Sequence, residues 1–228
     1  MDTGPLNTGA MKTTALFEPG HTIAWEYIAS FDHPWEALPG AGRCIAEIGA
    51  ALEAPEYSML PGGVWIHKTA TVAPSAYIGS NVIICAGACV RHCAFIRENA
   101  LVGAGAVVGN STELKNTILF DNVQVPHYNY VGDSVLGYKS HMGAGAITSN
   151  IKSDRTPVSV IYGEYRVGTG LKKFGAILGD HVEVGCNSVL NPGCVIGPRT
   201  TVYPLSMVRG YVPGGSIYKK QGEVAEKL

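Results

Sequence analysis

From Ile66 onward, apolar residues return every six positions. Ile66, Val72, Ile78, Ile84, Val90, Ile96, Val102, Val108, Leu114 and Phe120 keep that spacing. Four places after most of them comes a small residue, such as Ala70, Ala76, Ala88, Ala94, Ala100, Ala106 or Thr112, and glycine often follows directly, as at Gly79, Gly103 and Gly109. Six matches neither the helical period of 3.6 nor the strand period of 2.0. A six-residue repeat predicts a parallel β-helix, in which each hexad supplies one short strand and one corner and three hexads close a triangular coil. The aliphatic residue then fills the interior, and the small one fits the tight corner. The frame returns at Leu136 and Met142, displaced by four residues, and resumes at Leu178, Val184, Leu190, Ile196, Val202 and Val208.

Outside the hexads the pattern changes. Residues 1–20 are rich in Gly and Thr without periodicity and are expected to be a flexible N-terminus. Residues 21–63 predict a helical head and a connector. Ala24, Tyr27, Ile28 and Phe31 form one apolar helical stripe, and Ile45, Ile48 and Leu52 form a second. Asp32-His33-Pro34 stops the first helix and offers a cap with Pro at the next first turn. Ala54–Gly63, with two prolines and a Gly pair, reads as a connector. The head is expected to cap one end of the β-helix, which occupies 64–212. Within it, 151–172 predicts an inserted β-hairpin, because Val158, Val160, Tyr162 and Tyr165, Val167 alternate around Gly163-Glu164. Residues 213–228 leave the repeat as a C-terminal tail. The fold class is therefore all-β, a left-handed parallel β-helix of hexapeptide repeats with a short α-helical N-terminal head and a hairpin insertion; its hand comes from the resemblance described below.

Composition narrows the function. The chain has 228 residues, 29 of them Gly, with 46% hydrophobic and 15% charged residues. That glycine level is nearly twice the usual share, so many backbone positions reject a Cβ. A net charge of −1 with no long basic run argues against nucleic acid or an anionic membrane as main partner. No apolar run reaches the length of a membrane span, and the first residues lack the order of a signal peptide, so a cytoplasmic protein is expected. Of the six cysteines, Cys44, Cys85, Cys89, Cys93, Cys186 and Cys194, the run Cys85, Cys89, Cys93 falls at hexad positions two, six and four, which point different ways. They read as reduced fillers rather than zinc ligands, and no metal is expected.

The stretch Gln124–Asn150, QVPHYNYVGDSVLGYKSHMGAGAITSN, interrupts the repeat and gathers a histidine, tyrosines and asparagines between glycines. Its VPHYNYVGD and GAGAITSN, with KKFGAILGDHVEVG at 172–185, resemble the acetyltransferase domain of bifunctional N-acetylglucosamine-1-phosphate uridylyltransferase. The inserted hairpin is more similar to the C-terminal domain of archaeal sugar-1-phosphate nucleotidylyltransferases. The similarity covers about residues 64–218. It implies the left-handed β-helix of hexapeptide-repeat acyltransferases, whose hand is an exception to the usual crossover rule.

The resemblance implies roles. His127 would be the general base that takes a proton from a sugar amine attacking the thioester of acetyl-CoA or another acyl-CoA, a task suited to imidazole. Arg97, Lys115 and Lys173 would hold the sugar phosphate, with Tyr130, His141 and Asn150 near the sugar. Ala144, Cys186 and Tyr203 would line the coenzyme. Asp133 is read as fixing the local turn. Three positions depart from the family: His141 stands where it has Asn, Cys186 where it has Ser, and Tyr203 with Leu205 add bulk along the coenzyme wall. The family's nucleotide-binding domain has no counterpart in this sequence, so uridylyl transfer is not expected. The function expected is N-acetylation of an amino-sugar 1-phosphate in nucleotide-sugar biosynthesis. A second reading is a non-catalytic, sugar-phosphate-binding trimeric partner of a separate nucleotidylyltransferase. A third is a γ-carbonic-anhydrase-like zinc enzyme, invited by His92 and His127 but lacking a third histidine at Gly132. Flat coil faces need a neighbour's wall to close a pocket, so a homotrimer is expected.

Overall fold

The structure, a computed structural model, describes residues 8–227. The parallel β-helix expected from the hexads is what the chain forms. Thr71 pairs with Cys89 and Cys89 with Val107, so one turn of coil takes 18 residues there. Every coil has three short strands, distributed over a 12-stranded and a 9-stranded sheet. The larger sheet supplies two faces, because its longer strands bend around one edge at residues with left-handed φ, namely Asn81, Asn99, Asn116 and Asp133. Asn and Asp tolerate that conformation better than other side chains with a Cβ.

The faces differ in what lies outside them. On one face the strands carry three buried residues in a row: Val82-Ile83-Ile84, Ala100-Leu101-Val102, Thr117-Ile118-Leu119, Ser134-Val135-Leu136, Ala176-Ile177-Leu178 and Cys194-Val195-Ile196. Strand alternation sends the middle residue of each triplet outward, so this face needs a cover. On the second face, which includes Thr71, Cys89, Val107, Gln124, His141 and Glu183, and on the third, which includes Tyr77, Phe95 and Tyr130, the outward residues reach solvent.

The helical head is that cover, which corrects the expectation that it caps one end. Helix Ala41–Ala51 lies against the strands Tyr77–Ile84, Phe95–Val102 and Glu113–Leu119, and the 3-10 helix Pro34–Gly40 lies against Tyr130–Leu136. At Gly49 an added Cβ would meet the Trp65 ring at 2.5 Å, so helix and coil touch there without room for a side chain. Trp35 packs 6.0 Å from Phe174, and Phe17 lies 4.8 Å from Phe120. The side-chain amide of Asn81 donates to Gly42 O at 2.8 Å, which ties the head to the coil edge. Residues expected to be flexible are therefore packed from residue 8 on: Met11, Leu16 and Phe17 are buried, and the Glu18 N–H donates to Asp180 Oδ2 at 2.6 Å. Residues 1–7 lie outside the described residues. Beyond the head, the predicted hairpin forms between Ser159–Tyr162 and Tyr165–Gly168 and covers the last coils of the same face, with Tyr162 5.3 Å from Tyr211.

Two further expectations are corrected. The connector contains the strand Tyr57–Leu60, which pairs antiparallel with Val64–His67. In the tail, Ser216–Lys220 still adds a parallel strand, and Glu223–Glu226 folds back on it. Both ends of the coil thus finish in antiparallel hairpins, which occupy edges that would otherwise template other strands. The four-residue frame shift also has a cause. Glu98 faces Lys115 although Ile96 faces Leu114, so the corner at Lys115–Asn116 has lost a residue. The next coil keeps the short corner, with Gly132 opposite Lys115 and Ser134 opposite Thr117. Two losses equal an advance of four in a six-residue frame. Leu119, not Phe120, therefore stacks with Val102 and Leu136, while Phe120 is buried under Phe17.

Interior and covered positions should respond differently. Ile96→Ala and Ile118→Ala both empty a fully buried site and should each cost roughly 2 to 5 kcal/mol in urea unfolding. Only Ile118→Ala should also raise amide exchange across Ala41–Ala51. Equal exchange in the two variants would show that the head does not depend on this face.

Candidate functional site

The edge between the second and third faces is a ladder of identical corners. Each coil turns there through a left-handed residue, in order Cys93, Ser111, Tyr128, Gly145, Asn187 and Leu205. The residues immediately before them form a row: His92, Asn110, His127, Ala144, Cys186 and Pro204. Backbone bonds join the rungs, from Tyr128 N–H to Asn110 O at 2.9 Å, Gly145 N–H to His127 O at 3.0 Å, Asn187 N–H to Ala144 O at 2.8 Å and Leu205 N–H to Cys186 O at 2.9 Å. The Gly109 Cα sits against the carbonyl of Pro126 so closely that a Cβ would overlap it.

His127 is exposed on this ridge, and its place is set by buried Asn129. The His127 N–H donates to Asn129 Oδ1 at 3.0 Å, while Asn129 Nδ2 donates to Gly143 O at 2.8 Å and Ala146 O at 3.0 Å. One side chain thus pins two successive corners. The His127 imidazole has no hydrogen-bond partner among the described residues, so both ring nitrogens are open to solvent or ligand. The ridge places three of the expected coenzyme residues with it: Ala144 one coil on, Cys186 the next, and Tyr203 at the corner after that. Tyr203 and Leu205 are exposed.

A second polar cluster occupies the edge between the third face and the covered one, at the shortened corners. Asp133, with its side chain 6% exposed, accepts from Asn116 Nδ2 at 2.9 Å and Asn150 Nδ2 at 2.5 Å, and Lys115 Nζ lies 3.4 Å away. Asn150 Nδ2 also donates to the Tyr130 hydroxyl at 3.1 Å. Burial, with Asp133 and Glu113 adding to it, pushes the Tyr130 phenol above its ordinary pKa, so it remains a neutral hydroxyl. Arg97 donates to Glu113 Oε1 at 3.1 Å. Lys115, Tyr130 and Asn150 therefore converge, but both Arg97 and Lys115 are already paired with carboxylates of the same chain. Asp133 does more than fix a turn, since it is the acceptor for the whole cluster.

Two expected site residues lie elsewhere. His141 stands on the second face, with Nδ1 2.8 Å from Glu183 Oε2, in a cleft of about 460 Å³ lined also by Asn122, Gln124, Lys139 and His181. Lys173 is exposed just after the hairpin. The chain thus distributes the residues over two edges and two faces. Asn116 and Asn129 went unread in the sequence. The first had a signal: Asn81, Asn99, Asn116 and Asp133 recur at intervals of one coil, each at the left-handed corner. Among the described residues, no three His, Cys, Asp or Glu side chains are grouped to hold a metal, and all six cysteines are free. His92 and His127 share the ridge but with Asn110 between them, and His92 Nδ1 lies 2.9 Å from Ser75 Oγ. Burial raises the thiols of Cys44 to about 11 and of Cys85 and Cys194 to about 12, so these three are inert.

Coil, covered face and polar edges together define a hexapeptide-repeat β-helix protein. A family model described as the GMPPB C-terminal domain matches residues 86–205, and the chain belongs to that family. A bifunctional sugar-1-phosphate nucleotidylyltransferase/acetyltransferase of Sulfurisphaera tokodaii is 35% identical over 49% of this chain and 28% of its own length. The bifunctional protein GlmU of Methanococcus maripaludis is 30% identical over 88% of this chain and 49% of its own length. The chain thus spans half or less of these relatives. Among solved structures, the acetyltransferase domain of PglB from Neisseria gonorrhoeae in complex with acetyl coenzyme A aligns with 78% of this chain and 63% of its own, at 21% identity and a TM-score of 0.31. The resemblance read from VPHYNYVGD and its neighbours is borne out by these relatives.

The Lys115–Asp133 contact makes a sharp stability prediction. Asp133→Ala leaves a largely buried ammonium and two amides without their acceptor, and should cost about 3 to 5 kcal/mol in denaturant unfolding. The double variant Lys115→Ala/Asp133→Ala should recover part of that loss. No recovery would mean that the pair carries no coupling.

Proposed function

We propose that the chain is a CoA-dependent acyltransferase that acetylates the amine of an amino-sugar 1-phosphate or a closely related nucleotide-linked sugar, with His127 as general base. The observation that carries the reading is the ridge, on which an exposed imidazole without a partner precedes Ala144 and Cys186 on successive corners. In this mechanism the sugar amine nitrogen attacks the thioester carbonyl carbon, and His127 removes the amine proton as the C–N bond forms. Collapse of the tetrahedral intermediate expels the CoA thiolate, which takes the proton back from the imidazolium. Asn129 holds His127 in place through the backbone, a positioning role that keeps the base on the ridge. Tyr130, kept neutral by its surroundings, and Asn150 offer hydrogen bonds to sugar hydroxyls. Arg97, Lys115 and Lys173 supply the cationic field for the phosphate, and His141 contributes from the second face of another protomer in a homotrimer. Acetyl-CoA, or another acyl-CoA, is a co-substrate in this reading, and no metal takes part.

A second reading, a non-catalytic sugar-phosphate-binding partner of a separate nucleotidylyltransferase, is favoured by one observation. Tyr203 and Leu205 stand exposed at the corner after Cys186, adding bulk along the wall where a coenzyme would lie, which a sugar-phosphate site does not need. Kinetics separates the readings. His127→Ala should lower turnover by about 10² to 10⁴ with little change in the Michaelis constant for the sugar. Undiminished turnover in that variant, or no acetyl transfer by the wild type to any amino-sugar 1-phosphate or nucleotide-linked amino sugar, contradicts the catalytic reading.

A further inference from the structure

The inserted hairpin borders a cationic cleft, beyond Asn150, whose charged residues have no part in the proposed acyl transfer. Its stem is seated on two corners of the last coils, where left-handed glycines let the backbones meet. At Gly193 a Cβ would come within 2.7 Å of the Val158 side chain, and at Gly210 one would overlap the carbonyl of Ile161. The hairpin is therefore docked without slack, and the space between its base and the corners is preformed. That cleft has a volume of about 270 Å³ and is walled by Ser149, Lys152, Ser153, Asp154 and Arg209 among others. A smaller hollow beside it, under the hairpin, shares Lys152, Pro192 and Arg209 with the cleft and adds Arg166 to the lining.

The charges in it are unbalanced. Arg43, Arg97 and Arg199 each have a carboxylate within 4.0 Å. Arg166 and Arg209, like Arg91 and Arg155, have none among the described residues, and the first two line the same hollow as Lys152. One acid, Asp154, lines the larger cleft with Lys152 and Arg209 and pairs with Lys152 at 3.4 Å. Like charges brought together on a rigid support are held at a cost that an anion removes. Guanidinium forks match phosphate oxygens in pairs, and the Ser149 and Ser153 hydroxyls can complete such a ligand's shell.

We propose that this cleft binds the phosphate or diphosphate group of a small molecule, with Arg209, Arg166 and Lys152 as its charged donors. The site is on a different edge from His127, beyond Asn150, and stands whether or not that histidine is catalytic. Titration of the intact chain with pyrophosphate, followed by calorimetry at low salt, tests it. Saturable binding of one anion per chain is expected, tighter than roughly millimolar. Arg209→Gln and Lys152→Gln should each weaken it by roughly tenfold or more, the effect of losing one charge-assisted bond. Arg166→Gln, in the exposed outer strand of the hairpin, gives a third reading if either of those variants melts early. His127→Ala should bind as the wild type does. Absence of saturable binding, binding unchanged in the glutamine variants of normal melting temperature, or binding lost with His127→Ala would each overturn the assignment. Replacing pyrophosphate by inorganic phosphate and by a nucleoside diphosphate then shows which carrier of the group the cleft prefers.

Discussion

One outward row of apolar side chains decides how this molecule is built. A β-helix whose triplets all read buried-buried-buried on one side cannot stand in water on that side. Ile83, Leu101, Ile118, Val135, Ile177 and Val195 are each fully buried only because another part of the chain lies over them. Burying one such side chain is worth about 1.5 to 3 kcal/mol, enough in sum to hold a head of short helices that would not persist alone. The head covers the early and middle coils and the hairpin covers the last ones. Chemistry is thereby confined to the two remaining faces and to the edges.

The edges serve that chemistry through their corners. Left-handed residues repeat once per coil on every edge, and each repetition aligns the preceding residue with its neighbours. On one edge this produces the His127 ridge, pinned by Asn129. On another, the loss of one residue per coil at Lys115–Asn116 and Gly132–Asp133 draws Lys115, Asn116, Asp133 and Asn150 together. A geometric irregularity and a polar cluster thus coincide. Insertion of the hairpin at the same edge, after Asn150, adds a third feature to it.

Much of this was legible in the residues, and the exceptions have physical reasons. Six-residue spacing sufficed for the coil, and alternation around Gly163-Glu164 sufficed for the hairpin. The place of the head does not follow from the interior residue of each hexad, which is apolar on all three faces alike. The apolar residue before it, as in VII, ALV, TIL and CVI at every third hexad, is what marks a covered face. Phe120 was assigned to the interior because a one-residue loss is invisible until two have accumulated. His127, Ala144 and Cys186 do share a ridge, whereas His141 falls on the second face, since only the register of strands tells which way a residue four coils into a repeat is directed. Asp133 looked like a turn residue because its partners are one coil away in either direction, beyond any local motif.

The proposal that the acyl donor lies on the ridge is tested directly by hydrogen exchange with and without acetyl-CoA. Slowed exchange should be confined to the corner amides of Gly145, Asn187, Leu205 and their neighbours, with the covered face unchanged. Absence of any slowing at saturating acetyl-CoA, or slowing on the second face around Gln124 and Glu183 instead, would contradict it.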